Sequence, residues 1–265
     1  MQPFERLRYL ARWSDADDDE TLLEEAADCL AGFADDPFGV VIACRRLLAY
    51  HPTVAPLWWL SAHVLGAPDP HEGAWGAWRE HRSDPTGGRL AGVLPFPHER
   101  PVAVVGWPDV VRDGLRERID LELLAVRSGR SDSQLSRRLR TSVQQVRVID
   151  ESELLVLEPS HILVAPVACG DGRVLVAPGT PELIDAGRSV GSKVWLVVAR
   201  GYALPGRLLD AFDRLSRQSL DDEVPWVECD ATRFDSVVGP TGLEGLGVLT
   251  HRADCPAAPE LLRVN

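Results

Sequence analysis

The chain has 265 residues, 45% of them hydrophobic and 26% charged, a balance that supports a packed core and excludes a disordered polymer. Its formal charge of -12 excludes a protein that grips a phosphate backbone, because such proteins gain affinity from clustered cations that displace counterions. No nucleic-acid partner is expected.

No stretch reaches the roughly 20 uninterrupted apolar residues of a spanning helix, and Met1 to Arg12 alternates charge with apolar groups where a signal peptide would have an apolar core. The expectation is a cytoplasmic protein with no membrane contact. Cys29, Cys44, Cys169, Cys229 and Cys255 are odd in number and scattered, without a C-x-x-C pair, so reduced and mostly buried thiols are expected. The seven histidines show no metal-ligand spacing, and neither a metal site nor a cofactor is expected. Basic residues are almost all arginine, with Lys193 the one lysine, a bias of the kind a GC-rich genome produces.

In chain order, the first hundred residues read as helices. Leu22, Ala26 and Leu30, with Leu23 and Ala27 beside them, fall at helical spacing after an Asp-rich start suited to a helix N-terminus. Val40, Val41, Cys44, Leu47 and Leu48 make a second stripe, and Leu57 to Leu65 after Pro56 a third helix rich in tryptophan, closed by Gly66 to Pro70. Trp58, Trp59, Trp75 and Trp78 recur at helical intervals, which suits core or interface. Residues 83–101 carry Pro85, Gly87, Gly88, Pro95, Pro97 and Pro101 and read as a linker or capping loop. The division expected is an acidic helical domain at 1–98 and an α/β domain at 99–265.

From there strands and helices alternate. Val102 to Val105 reads as strand, Val110 to Arg118 as helix, Leu121 to Val126 as strand, Asp132 to Arg140 as helix and Val143 to Ile149 as strand. His161 to Val167, the helix Pro181 to Val190, the strand Val194 to Ala199 and the helix Leu204 to Leu215 continue the series. Apolar β-branched runs alternating with helices of about ten residues imply a parallel, doubly wound sheet. The tail after Asp221 is rich in Pro and Gly, with one strand-like piece at Val224 to Cys229, and residues 230–265 cannot be placed.

Gly106-Trp107-Pro108-Asp109 after the first strand is not a dinucleotide fingerprint, and a P-loop, an H-E-x-x-H helix and a G-x-S-x-G elbow are also missing. Gly106 still stands where open α/β sheets place ligands; the alternative is that it only makes the turn. After the second strand, Arg127 and Arg130 flank Ser128-Gly129 and can hold a phosphate or carboxylate, unless Ser131 or Asp132 simply caps the next helix. Asp150, Glu151 and Glu153 close the third strand, where acids act as a general base or remain solvated. Cys169-Gly-Asp-Gly172 reads equally as a reactive thiol or as a hairpin turn.

From Pro101 to Gly201 the order of elements resembles the family uniting the alpha, beta and delta subunits of translation initiation factor 2B with methylthioribose-1-phosphate isomerase and ribose-1,5-bisphosphate isomerase. Gly106-Trp-Pro-Asp-Val-Val111 is similar to the family's glycine loop after its first Rossmann strand. Leu124 to Leu139 resembles the following segment, in which a Glu-Ser or Glu-Thr-Arg-Pro loop precedes a helix. Gly179-Thr180 and the helix running to Gly191-Ser-Lys-Val-Trp-Leu-Val197 resemble its Lys-Ile-Gly-Thr segment and next strand, and His51-Pro-Thr53 its Arg-Pro-Thr segment.

The resemblance implies a Rossmann-like sheet of the NagB/RpiA/CoA-transferase kind, a homodimer formed through the α/β domain, and a site at Gly106, Asp109, Arg127, Arg130, Gly179 and Thr180 for a small anion, a sugar phosphate or nucleotide. The isomerases rely on a cysteine in the first loop and an aspartate in a Gly-Ala-Asp-Arg segment; here those places hold Trp107-Pro108 and Val164-Ala-Pro-Val167. The family's arginine before Pro-Thr is His51, and the asparagine-lysine pair before Gly-Thr is Ala177-Pro178. A non-catalytic binding protein with a regulatory or scaffold role is therefore expected. The rivals are an isomerase-like enzyme with a non-standard site and a structural partner docking through its N-terminal helices.

Overall fold

The structure, a computed structural model, describes residues 3–10, 19–95, 100–127, 135, 139, 145–220, 224–251 and 254–263. It divides into two compact units. The first takes Met1–Ser83, Arg200–Val224 and Arg252–Asn265, and the second takes Asp84–Ala199 and Pro225–His251.

The first unit is helical: α1 (Pro3–Leu10), α2 (Asp19–Ala31), α3 (Pro37–Tyr50), α4 (Ala55–Gly66) and α5 (Pro70–Arg82). Helix starts follow local chemistry. Asp36 accepts from the Gly39 N–H at 2.8 Å ahead of Pro37, and Asp69 accepts from the His71 N–H at 2.9 Å ahead of Pro70, each with proline where its missing N–H costs nothing. Helix α4 is apolar almost all round and accordingly central, with Leu57, Trp58, Trp59 and Leu60 fully buried. Trp58 donates its indole N–H to the Pro52 carbonyl at 3.0 Å, a carbonyl that also receives the Ser216 hydroxyl at 2.9 Å. The Trp58 indole and the Ser216 hydroxyl, both buried in this core, are thus paired with backbone.

The second unit opens with α6 (Thr86–Val93), a helix where composition suggested a loop. Its glycines serve packing. A Cβ on Gly87 would stand 2.9 Å from the Gly114 Cα, and one on Gly114 would stand 2.5 Å from the Gly87 carbonyl oxygen. Helix α7 (Asp109–Gly114) therefore meets α6 backbone to backbone, and it ends four residues before the expected Arg118.

Among the described residues the main sheet has seven strands in the order β10-β9-β7-β4-β1-β2-β3. These are β1 (Val102–Val105), β2 (Leu123–Val126), β3 (Val146–Ile149), β4 (His161–Val164), β7 (Lys193–Val197), β9 (Ser236–Gly239) and β10 (Gly242–Glu244). Their pairings are parallel except that of β10 with β9. Full burial of β1, β2 and β4 explains why each reads as an unbroken apolar run. From β1 the chain builds outward through β2 and β3, then returns to add β4, β7 and β9 on the other side. The order therefore reverses between β1 and β4.

Between β4 and β7 lies an insertion: β5 (Ala168–Gly170) and β6 (Arg173–Val176) form an antiparallel hairpin, joined by β8 (Val227–Asp230) into a second sheet. Asp171 and Gly172, at φ 49° and 78°, make its two-residue turn, so the Cys169-Gly-Asp-Gly172 segment is a hairpin. Helices α8 (Glu151–Leu157), α9 (Thr180–Ser189) and α10 (Gly206–Ser219, in the first unit) complete the longer elements. The expected helix at 132–140 lies outside the described residues apart from Leu135 and Leu139.

Candidate functional site

The reversal between β1 and β4 defines where an open parallel sheet leaves a crevice, at the carboxyl ends of those strands. Of the six residues singled out in the sequence, Gly106 and Asp109 lie on the loop and helix after β1, and Arg127 follows the neighbouring strand β2.

Gly106 follows β1 directly, and its N–H donates to the Val126 carbonyl at 3.1 Å. Its φ of 72° requires glycine's freedom, and the next residue, Trp107, also takes a positive φ of 56°. For a bulky side chain that conformation is a strained one. The strain turns the indole inward: Trp107 is fully buried in a cluster with Val104, Val111, Leu115, Leu163 and Val197. Its Nε1–H has no hydrogen-bond partner among the described residues. The side chain of the loop expected to receive a ligand is thus part of the hydrophobic core.

Asp109 opens α7 and pairs with Arg112 at 2.7 Å one turn later, so its carboxylate is engaged on its own helix. Arg127 follows β2, its N–H donating to the Ile149 carbonyl at 3.1 Å. The β2–β3 register sets Val126 against Ile149, and this brings Arg127 beside Asp150, with a guanidinium-to-carboxylate distance of 3.2 Å. Arg130 lies outside the described residues.

Asp150 begins α8. Its N–H donates to the Glu153 carboxylate at 3.1 Å, completing a reciprocal capping arrangement. The Asp150 N–H, and after it the Arg147 guanidinium at 2.8 Å, hold the Glu153 carboxyl below the usual carboxylate range. Of the acids proposed as an alternative base, Asp150 and Glu153 therefore cap and pair.

Gly179 and Thr180 sit at the start of α9, beyond the inserted hairpin. Gly179 has φ 84°, and the fully buried Thr180 hydroxyl has no partner among the described residues. Glu182 occupies the first turn of α9, where its charge answers the helix dipole. Cys169 is fully buried within β5. In the first unit, His51 is buried and its Nε2 lies 2.7 Å from the Leu10 carbonyl, a contact that ties α1 to the residue following α3.

Among the described residues no group of three His, Cys, Asp or Glu side chains can hold a metal ion. No described helix is long and apolar enough to cross a membrane. The Arg127–Asp150 pair was legible in principle, because each residue immediately follows a strand and the two strands are consecutive. The inward turn of Trp107 had a weaker signal, a tryptophan directly after a strand-ending glycine.

No protein-family model matches the sequence, and no curated protein matches it. Solved structures do. The chain is similar to translation initiation factor eIF-2B of Pyrococcus horikoshii OT3 at 13% identity and TM-score 0.65, covering 91% of this chain and 96% of that one. It is similar to eIF2B beta of Chaetomium thermophilum at 12% identity and TM-score 0.66, covering 97% and 92%. A tetrameric eIF2B-beta2-delta2 complex from C. thermophilum contains a chain similar at 13% identity and TM-score 0.64, covering 94% and 92%. The fold is that of the eIF2B subunits, an N-terminal helical part with a Rossmann-like sheet, as the sequence resemblance implied.

Proposed function

We propose that this chain is a non-catalytic, eIF2B-like binding protein with a regulatory or scaffold role, built to recognise a small phosphate-bearing anion such as a sugar phosphate or nucleotide. The observation that carries the reading is Trp107. At the strand-order reversal, where isomerases of the resembled family are expected to present a cysteine, the loop holds a buried indole. Around it Asp109 and Asp150 are ion-paired, so a general acid and base facing a shared substrate are lacking among the described residues.

Anion recognition rests on Arg127 together with the amino end of α9, and an entering phosphate has to compete with Asp150 for the guanidinium. Protein association is the second half of the reading. One of the similar structures is a tetrameric complex, and here Phe38 and Ile42, one turn apart on α3, are 85% and 46% exposed. A partner meeting the N-terminal helices would bury such groups, while the homodimer implied by the resemblance would form through the α/β domain.

The test is a thermal-shift series with ribose 5-phosphate, AMP and ADP, run beside an isomerisation assay on the phosphosugar. The expected result is a selective upward shift without turnover, abolished by Arg127→Ala and enlarged by Asp150→Asn, which removes the competing ion pair. Turnover would overturn the non-catalytic reading, and a flat series on folded protein would overturn the anion. Light scattering reads the oligomeric state independently.

A further inference from the structure

At the opposite ends of the same strands lies a pocket of about 460 Å³, within the size range of small-molecule sites. It is bounded by Val93 and Pro95 at the end of α6, by Leu243 of β10, and by Arg100, Ser160, His161, Lys193 and Trp195. All of these belong to the second unit. His161 and Lys193 are the first residues of β4 and β7 and are paired in register, so they project together. Trp195, two residues along β7, shares the Lys193 face because strand side chains alternate with period two. The His161 and Trp195 rings meet edge to face with centroids 4.5 Å apart, and both residues are at least 94% buried.

The charges are arranged with one sign. Arg100 is fixed by three carbonyls, donating to Glu158, Pro159 and Val190 at 2.6, 3.1 and 2.9 Å. Lys193 is different: its ammonium makes no hydrogen bond or ion pair with any described residue. Among the described residues no carboxylate lines the pocket, and Glu244, next to Leu243, accepts from the Thr241 hydroxyl at 2.5 Å. In a chain of net charge -12 whose one lysine is Lys193, an uncompensated ammonium over an aromatic, apolar floor is a matched setting for a flat molecule with one negative group.

We propose that this pocket is a second ligand site, taking a small aromatic carboxylate whose ring packs among Val93, Pro95 and Leu243 at the exposed edge of Trp195 and whose carboxylate meets Lys193. It is independent of the carboxyl-end reading, since β4 alone separates the two ends by about 10 Å.

The single lysine makes the test direct. Reductive methylation with 13C-formaldehyde keeps the charge and places one lysine signal in the NMR spectrum, alongside that of the N-terminal amine. Titration with indole-3-carboxylate should move the Lys193 signal saturably, and indole-3-carboxamide should bind at least about tenfold more weakly, the loss of one charge-assisted hydrogen bond. On unmethylated protein, tryptophan fluorescence should show the same preference, lost in Lys193→Gln and kept in Lys193→Arg. Both substitutions are at an exposed position, so folding is preserved. No saturable shift on folded protein, equal response to acid and amide, or unaltered binding by Lys193→Gln would each overturn the proposal.

Discussion

At the carboxyl end of β1 the chain turns back and buries an indole, whereas at the amino ends of β4 and β7 it leaves a pocket of about 460 Å³ with an ammonium unpaired among the described residues. Both ends belong to one sheet, and general experience of such sheets favours the first as the ligand site. The difference teaches that topology only nominates a position. What occupies it is decided by side chains: one strained tryptophan after β1 turns into the core, and the sole lysine marks the other end.

Removing the indole is the strongest way to break that contrast. Trp107→Ala should cost about 3–5 kcal/mol in denaturant unfolding, as burial of a large ring is lost and a cavity remains. Trp107→Phe should cost distinctly less, because it also removes a buried N–H that has no partner among the described residues, a group worth about 1–3 kcal/mol of penalty. Equal losses for the two would mean that the indole nitrogen is satisfied, and an alanine variant as stable as the parent would mean the loop is open already.

The amino end is attacked through α6, whose last residue, Val93, and Pro95 two residues beyond it line the pocket. Gly114→Ala places a methyl 2.5 Å from the Gly87 carbonyl, a backbone atom that cannot swing away. A loss of about 1–3 kcal/mol is expected, with the pocket-wall signals of Val93 displaced. Gly187→Ala is the informative counterpart: its methyl would meet the end of the Ile162 side chain, which can rotate, so a smaller loss is expected.

How far the sequence foretold this is uneven. Fully buried strands such as Val102–Val105 and His161–Val164 were legible as apolar runs, and the site positions after them followed from chain order. Helix α6 was hidden because glycine signals a turn unless one knows that another backbone lies 2.9 Å away, which is a tertiary fact. β9 and β10 were hidden because Ser236–Gly239 and Gly242–Glu244 are short, and only the pairing of β9 with β7 and of β10 with β9 makes them part of the sheet. The pocket was less legible still, since its walls come from α6, β4, β7 and β10, far apart in sequence.

Smaller effects sharpen the contrast at the carboxyl end. Arg127 and Asp150 are 51% and 61% exposed, so Arg127→Ala should change stability by less than about 1 kcal/mol. A larger loss would show that the pair is structural and unavailable to a ligand.

The finest measurement is the titration of Glu153, followed by NMR through its side-chain carboxyl. The Asp150 N–H, the Arg147 guanidinium and, least, the charge of Arg127 hold it below the ordinary glutamate range. With the folded value depressed, the stabilisation it brings is present above the unfolded value and is lost as pH falls through the folded one. Arg147→Ala should raise the titration point clearly, and Arg127→Ala only slightly, because Arg147 makes a direct hydrogen bond at 2.8 Å and Arg127 acts through space. If Arg127→Ala moved Glu153 as far as Arg147→Ala does, Arg127 would be a working member of this capping network. An anion could then take Arg127 only by loosening the start of α8, and the carboxyl end would be closed on both sides of β2.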